Sequence, residues 1–263
     1  MPWPWLIFFI IKGPPCGKFG KPPTTPTSKR GSILKSPVLV VDYGVGNLFS
    51  VSRAVEQCGA EAICTSDPER ILQAERLILP GVGAFGSAMR ELGKRGLIQP
   101  IREVAARGVP LLGICLGMQL LFEQSEEFGF TEGLGIIAGR VIPIPSSTQS
   151  GAPLKSPHIG WGELIPSGLS SWEGTLLDGH GVGNAMYFVH SYMAVPTEPA
   201  VRLADCVYGG HRITATIQKG NVIGCQFHPE KSGKAGLAFL RRLRSEEHTS
   251  ELQVTPISRM PSS

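Results

Sequence analysis

The chain has 263 residues, 42% of them hydrophobic and 17% charged, and this length suits one well-buried α/β domain. Its net charge of +4 arises in the first 41 residues, which hold six Lys or Arg and no acidic residue. The rest of the chain has 19 basic and 21 acidic residues and no basic stripe, which argues against a nucleic-acid partner. Six cysteines without metal-ligand spacing indicate a reducing compartment, no metal and no cofactor.

The two ends of the chain differ in composition from the middle. Residues 1–36 begin with an apolar stretch far shorter than the roughly 20 residues that span a bilayer, so no membrane association is predicted. The rest of this segment is rich in Pro, Gly, Thr, Ser and Lys, which favours a disordered or artefactual extension, with an organelle transit peptide as the alternative. Residues 245–263 continue no hydrophobic period and are interpreted as a disordered, non-native tail. Residues 37–244 remain as the predicted domain.

Strand and helix patterns alternate in the first half of this domain. The predicted order is a strand at 38–43, a helix carrying Leu48, Val51, Val55 and Cys58, strands at 62–65 and 77–79, helices at 87–92 and 98–106, and a strand ending at Cys115. Such alternation indicates an α/β fold with a mostly parallel central sheet flanked by helices, and with ligands at the carboxyl ends of the strands. The second half is richer in strand, with strands at 139–144 and 187–194, a hairpin over 214–227 turning at 219–221, and a closing helix at 235–243.

The segment 111–119 has the pattern of a nucleophile elbow. An apolar strand stops at Cys115 between two glycines, and a helical period with apolar residues at 118 and 120–122 begins at once. Glycine permits the sharp turn that projects the Cys115 side chain from the sheet, and the helix N-terminus favours its thiolate. A single cysteine between glycines is more often a buried structural residue, so this pattern alone does not establish a nucleophile.

A second polar motif lies more than a hundred residues downstream. On an extended segment, His228 and Glu230 point to the same side and can act as base and orienting acid. A lone His-Pro-Glu is usually a loop. Because an apolar run enters each motif, the two together favour a triad of Cys115, His228 and Glu230.

These two motifs resemble those of the class I glutamine amidotransferases, whose Cys-His-Glu triad releases ammonia from glutamine. Further segments are similar to one branch of that family, the glutaminase subunits of imidazole glycerol phosphate synthase from histidine biosynthesis: 42–48, 79–83, 158–161, 187–192 and 227–232. Met118 and Val82 favour this branch, because sister amidotransferases usually carry His and Pro there. The similarity covers about residues 37–244.

The resemblance implies a role for the residues around the elbow. Cys115 would attack the side-chain carbonyl of glutamine, His228 would transfer the protons and Glu230 would orient the imidazole. The oxyanion would be held by the backbone N–H of Leu116 and by the turn at Gly81 and Val82, where glycine makes a peptide flip easy. From the residues alone, that turn could also be an ordinary strand end.

The resemblance also implies substrate contacts, at Gly83, Gln119, His190, Ser191 and Tyr192. Gln119 lies about one helical turn past the nucleophile, and the periodicity places Glu123 on the same helix face. Gln119 could instead be a plain helix-surface residue.

A partner follows from the same resemblance, because free ammonia would be wasted in water. The glutaminase is expected to form a heterodimer with a (β/α)₈-barrel cyclase subunit, which uses the ammonia to make imidazole glycerol phosphate and aminoimidazole carboxamide ribonucleotide. Four residues match the face that meets the barrel: Asn47, Trp161, Tyr187 and Lys231. Gly162 departs from the Asn usual in the family, so the loss of an interface contact is expected.

Two alternatives belong to other classes. One is a stand-alone Cys hydrolase of γ-glutamyl bonds with the same triad, which the interface-like residues argue against. The other is a catalytically silent scaffold or chimeric product. The unusual ends of the chain support this alternative, and the complete triad argues against it. The expected location is the cytoplasm, or an organelle if the basic N-terminal segment is a transit peptide.

Overall fold

A computed structural model describes residues 36–168, 172–181 and 184–245, so the predictions for residues 1–35 and 246–263 lie outside the described residues. The described part contains six α-helices: α1 (Leu48–Gln57), α2 (Pro68–Leu72), α3 (Phe85–Lys94), α4 (Ile98–Ala106), α5 (Leu116–Leu120) and α6 (Gly233–Ser245). Short 3₁₀ turns form at Pro199–Val201 and Pro229–Lys231. In the described part, no helix is both long enough and apolar enough to cross a membrane.

The strands are short and most numerous after Cys115. In chain order they are β1 (Val38–Val41), β2 (Ala62–Thr65), β3 (Leu77–Gly81), β4 (Leu111–Cys115), β5 (Phe122–Ser125), β6 (Thr131–Glu132), β7 (Ile137–Pro143), β8 (His158–Glu163), β9 (Ile165–Pro166), β10 (Ala185–His190), β11 (Tyr192–Pro196), β12 (Arg202–Tyr208), β13 (His211–Lys219) and β14 (Val222–Cys225).

Eight strands form the central sheet, in the order β2-β1-β3-β4-β14-β13-β12-β9. The pairs from β2 to β14 are parallel, and the pairs from β14 to β9 are antiparallel. Strands β1, β3 and β4 are buried along their whole length, as expected of parallel strands covered by helices on both faces. The predicted α/β fold with a parallel core and a strand-rich second half is confirmed, and β13 and β14 form the predicted hairpin.

Apolar side chains fill both faces of this sheet. Alternate residues of β1 point to opposite sides, so Leu39 and Val41 lie in one cluster and Val38 and Val40 in the other. The first cluster includes residues of α2 to α5, and the second includes residues of α1 and α6. Two layers of helices therefore hold the ends of β3, β4 and β14 in place.

The predicted continuous strand at 187–194 is wrong, because the chain breaks at Ser191. Strand β10 pairs with β8 in a two-stranded sheet, and β11 pairs with β7 in a four-stranded sheet that includes β5 and β6. The His190 ring makes a 2.8 Å hydrogen bond to the carbonyl oxygen of Tyr192, which stabilises the break.

The helix after Cys115 is also shorter than its apolar period indicated. It ends at Leu120, and Phe122 and Glu123 belong to β5, which runs beside β7. Gln119 and Glu123 therefore share no helix face. Glu123 accepts a hydrogen bond from the backbone N–H of Gly139 instead. A buried apolar run can serve either a helix or a strand, and here strand pairing decides.

Helix α2 was missed, although its signal is present in the sequence. Asp67 caps the N-terminus by accepting a hydrogen bond from the N–H of Glu69, and Pro68 occupies the first helical position. Both are typical of a helix start.

Candidate active site

Cys115 lies at the carboxyl end of β4 in a strained backbone conformation, with φ 54° and ψ −111°. A non-glycine residue seldom adopts positive φ, and such strain is concentrated at functional sites. The close packing of its neighbour explains the second glycine of the motif. A Cβ on Gly117 would lie 1.8 Å from the carbonyl oxygen of Leu79, so α5 can approach β3 only without a side chain there. Neither Gly113 nor Gly117 has a positive φ, so the elbow needs these glycines for space, and the sharp turn predicted for them is made by Cys115 itself.

His228 and Glu230 follow β14, the parallel neighbour of β4, in which Cys225 pairs with Ile114. The Nδ1 atom of His228 lies 2.8 Å from Oε1 of Glu230, and the Glu230 side chain is 1% exposed. The pair forms across a 3₁₀ turn, not along an extended segment as the sequence analysis assumed. The hydroxyl of Ser232 donates to the His228 carbonyl and holds this turn.

The charge state of His228 follows from its surroundings. Burial alone would lower its pKa, but the negative charge of the Cys115 sulphur, a hydrogen bond with that sulphur and the hydrogen bond with Glu230 raise it to about 10. His228 is therefore protonated at neutral pH and can give a proton to a leaving group. Because Nδ1 of His228 is taken by Glu230, Nε2 is the ring nitrogen left for the Cys115 sulphur and for a reacting group.

The turn after β3 runs beside the elbow. Gly81 pairs directly with Cys115 in the parallel register, and a Cβ on Gly81 would lie 2.6 Å from the Tyr43 hydroxyl and 2.9 Å from the backbone nitrogen of Gly117. Tyr43 donates to the carbonyl of Pro80 and fixes the strand end. Gly83 is exposed with φ +92°, and Val82 is half-buried between the two glycines. The backbone of this turn and the N-terminus of α5 at Leu116 therefore lie next to Cys115.

Gln119 is buried, which removes the alternative that it lies on a helix surface. Its Nε2 atom lies 3.1 Å from the Tyr192 carbonyl oxygen and 2.9 Å from Oε1 of Gln226. Gln226 in turn places its Nε2 atom 3.6 Å from the Cys115 sulphur. The sequence analysis missed Gln226, although it stands two residues before His228.

The segment at 190–192 presents backbone, not the His190 ring. Because the Tyr192 carbonyl only accepts, Nδ1 of His190 carries the proton, and Nε2 accepts from Nδ1 of His158 at 3.1 Å. Burial lowers the pKa of His190 to about 4, so the ring is neutral. The Ser191 carbonyl accepts from the backbone of Ile144. Both nitrogens of the His190 ring thus have partners within the protein, and the substrate role of this segment stays a prediction.

Glu127 is a second residue that the sequence analysis missed. Its carboxylate accepts a 2.5 Å hydrogen bond from the backbone N–H of Phe85, at the start of α3, two residues past Gly83. Burial raises the pKa of Glu127, and its charge contributes to the raised pKa of Tyr192. A negative group therefore lies near both Gly83 and Tyr192. The only signal in the sequence was an acidic run in a loop.

Three of the four predicted interface residues lie together. The rings of Trp161 and Tyr187 pack edge to face at 5.8 Å, and Nζ of Lys231 lies 5.9 Å from the Tyr187 ring centroid. The Trp161 side chain is 60% exposed although it is large and apolar. Asn47 caps the N-terminus of α1 by accepting from the N–H of Ser50.

The departure at Gly162 has a local reason. A Cβ there would lie 3.1 Å from the Phe188 ring and 3.5 Å from Cβ of Cys206. The position thus points toward buried side chains, and glycine avoids crowding them.

The fold and the residues at these strand ends define a class of protein. The sequence model of the class I glutamine amidotransferases matches residues 39–243, and the chain belongs to this family. A crystal structure of a glutamine amidotransferase has the same fold, with a TM-score of 0.59 at 18% identity over 79% of this chain and 98% of that one. PurLQS from Thermotoga maritima superposes with a TM-score of 0.60 at 19% identity, over 80% of this chain and 98% of that chain.

Within the family, the chain is similar to HisH subunits of imidazole glycerol phosphate synthase. The chain is 49% identical over 208 residues to subunit HisH 1 of Legionella pneumophila strain Lens, covering 79% of this chain and 98% of the relative. It is 50% identical over 203 residues to the HisH subunit of Geobacillus thermodenitrificans, covering 77% and 92%. The predicted enzyme class, a glutamine amidotransferase subunit of this synthase, is confirmed.

Proposed function

We propose that the chain hydrolyses glutamine to glutamate and ammonia, with Cys115 as the nucleophile, His228 as acid and base, and Glu230 as the group that orients His228. The observation that carries this proposal is the placement of the two motifs. Cys115 ends β4 in a strained turn, and the paired His228 and Glu230 follow the adjacent parallel strand β14. A nucleophile, a base and an orienting acid are the three parts that acyl transfer requires.

The proposed reaction has two halves. The Cys115 thiolate forms a C–S bond with the carboxamide carbon of glutamine; the C–N bond then breaks, and ammonia leaves with a proton from Nε2 of His228. A water molecule next attacks the thioester while His228 takes its proton, the C–S bond breaks, and the thiolate returns. Both halves pass through an oxyanion, for which we propose the backbone of Leu116, Gly81 and Val82 as donors. Each such donor is typically worth about 10²–10³ in rate.

The rest of the substrate needs complementary groups. Glutamine carries an ammonium at its amino-acid end, and Glu127 supplies a carboxylate near Gly83 and Tyr192. We therefore assign Glu127 to that ammonium. The remaining contacts are proposed for Gly83, Gln119, Ser191 and the backbone of His190 and Tyr192.

The ammonia is proposed to pass to a cyclase subunit in a heterodimer. The relatives are named as subunits, and the exposed Trp161 stands beside Tyr187 and Lys231 on one surface. We propose that this surface and Asn47 meet a (β/α)₈-barrel cyclase, which makes imidazole glycerol phosphate and aminoimidazole carboxamide ribonucleotide. Residues 37–244 would form the whole catalytic domain. The proposed location is the cytoplasm, where the five described cysteines, all free of disulfides, would stay reduced.

A glutaminase assay with and without a barrel cyclase tests this proposal. We expect hydrolysis by the parent, none by Cys115→Ala, and formation of imidazole glycerol phosphate from glutamine only when both subunits are present. Full hydrolysis without any effect of the cyclase would favour the stand-alone hydrolase. Loss of hydrolysis under all conditions, with Cys115 unreactive toward a glutamine-analogue electrophile, would favour the silent product.

A further inference from the structure

The side chain of Gln226 joins the candidate nucleophile to Gln119. It is fully buried, and its two amide atoms face different partners: Nε2 lies 3.6 Å from the sulphur of Cys115, and Oε1 lies 2.9 Å from Nε2 of Gln119. Gln119 reaches on to the carbonyl oxygen of Tyr192 at 3.1 Å. The reaction proposed above gives Gln226 no part.

The Tyr192 carbonyl decides the orientation of both amides. A backbone carbonyl can only accept, so the Gln119 atom beside it must be the amide nitrogen. That same nitrogen contacts Gln226, which must therefore present its carbonyl oxygen. The NH₂ group of Gln226 is consequently directed at the sulphur of Cys115. The donor and acceptor roles of these contacts are therefore all determined, and the last contact places an N–H donor at the nucleophile.

Besides Gln226 and His228, the sulphur has a hydrogen-bonding contact of the opposite polarity. The carbonyl oxygen of Val189 lies 3.9 Å from Sγ of Cys115 and can accept a proton from a thiol. It has nothing to donate to a thiolate. Gln226 supplies an N–H, and hydrogen bonds to an ionised acceptor are about twice as strong as neutral ones. Gln226 therefore favours the anion where Val189 favours the neutral thiol.

We propose that Gln226 is a positioning residue of the glutaminase reaction, holding the Cys115 sulphur as an anion while its carbonyl sets the orientation of Gln119. Both protons of the Gln119 amide nitrogen are then used, by Gln226 and by Tyr192. Only Oε1 of Gln119 remains to face the substrate, as an acceptor for an N–H group of glutamine. This inference rests on the proposed role of Cys115 as nucleophile.

The test is the pH dependence of Cys115 alkylation by iodoacetamide in the full chain. In Gln226→Met, which keeps the length of the side chain and removes the donor, we expect the alkylation midpoint to rise by about one pH unit or more. Thr216→Val is the matched control, because Thr216 is fully buried on the adjacent strand and its hydroxyl has no partner among the described residues. Its midpoint should equal that of the parent. An unchanged midpoint in Gln226→Met would overturn the inference.

A measurement on the unaltered chain covers the case in which Gln226→Met does not fold. The side-chain amide protons of Gln226, observed by NMR, should shift with the same pH midpoint as alkylation and shift again once Cys115 is alkylated. If the chemical shifts of these amide protons changed neither with pH nor on alkylation of Cys115, the inference would be overturned. If Cys115 of the parent reacted no faster than the other cysteines at any pH, the proposed function itself would fail, which is a different result.

Discussion

His228 and Glu230 are bonded through Nδ1 and Oε1 at 2.8 Å in a site where the Glu230 carboxylate is almost completely shielded from solvent. This contact orients the ring so that Nε2 is the nitrogen left for Cys115 and for the chemistry. It also helps to raise the pKa of His228 to about 10, against the effect of burial and together with the charge of Cys115. The pair therefore links stability, protonation and the proposed reaction.

Replacing Glu230 by Gln should lower the pKa of His228, because the negative charge is lost while an acceptor oxygen remains. A raised pKa stabilises the fold fully below the unfolded value of about 6.5, and this contribution is lost as the pH rises through about 10. We expect Glu230→Gln to lose this stabilising contribution at a lower pH than the parent does. We also expect it to hydrolyse glutamine at least about 10²-fold more slowly than the parent. Urea unfolding between pH 7 and pH 11 and a glutaminase assay measure both. Identical pH profiles for the two proteins would remove Glu230 from this role.

Cys115→Ala and Cys115→Gly should both lack glutaminase activity, but they should differ in stability. Alanine keeps the strain of φ 54°, whereas glycine relieves it; strain of this kind costs of order 1–3 kcal/mol, partly offset by the larger unfolded-state entropy of glycine. We expect the glycine variant to unfold at higher urea concentration. A glutamine-analogue electrophile should label Cys115 alone in the parent. Preferential labelling of Cys58, Cys64, Cys206 or Cys225 would contradict the elbow.

Gly117→Ala should destabilise the fold, because its new Cβ would lie 1.8 Å from the Leu79 carbonyl oxygen and force α5 away from β3. A loss of about 2 kcal/mol or more is expected, together with a strong loss of activity. Gly93→Ala is the control. It lies inside α3, where its Cβ would make only ordinary contact with Ile98, so it should gain about 0.5–1 kcal/mol. Equal effects in the two variants would show that space at Gly117 is not the constraint.

Lys231→Ala should leave ammonia-dependent turnover of the reconstituted cyclase pair unchanged but weaken its assembly or its coupling. The exposed Nζ of Lys231 lies over the Tyr187 ring and forms no ion pair within the described ranges, so its charge is available to a carboxylate of the partner. The measurement is the ratio of glutamate released to imidazole glycerol phosphate formed, with Lys234→Ala as an exposed control. An exposed pair would be worth only about 0–1 kcal/mol, and a buried pair more. A ratio and an affinity equal to those of the parent would remove Lys231 from the coupling mechanism.

Removing residues 1–35 and 246–263 should lower the melting temperature by no more than a few degrees. The family match spans residues 39–243, and the strands of the described central sheet all lie within residues 38–225. Calorimetry of the truncated chain measures this directly. If either deletion abolished recovery of folded protein, the assignment of residues 37–244 as the whole domain would be wrong.

Local sequence was sufficient to predict the two motifs of the site, because each is formed by consecutive residues. The elbow at Cys115 was readable because an apolar strand, a glycine pair and a helical period follow one another, and the motif at His228 because two polar residues stand two positions apart. The boundaries of the neighbouring helices and strands were harder to predict from the sequence. Phe122 satisfies a helical period and a buried strand equally well, and only its pairing with β7 excludes the helix.

The sequence by itself determined the family, the α/β order of most elements and the candidate nucleophile with its acid and base, because each motif and each periodic segment is a run of residues close together in the chain. Tertiary structure alone decided what surrounds them. Gln226 reaches Cys115 across 111 positions, and Glu127 reaches Phe85 across 42. Such contacts depend on which strands become neighbours and which way an amide is turned. A backbone carbonyl at Tyr192 settles the second question, and no local pattern encodes its position.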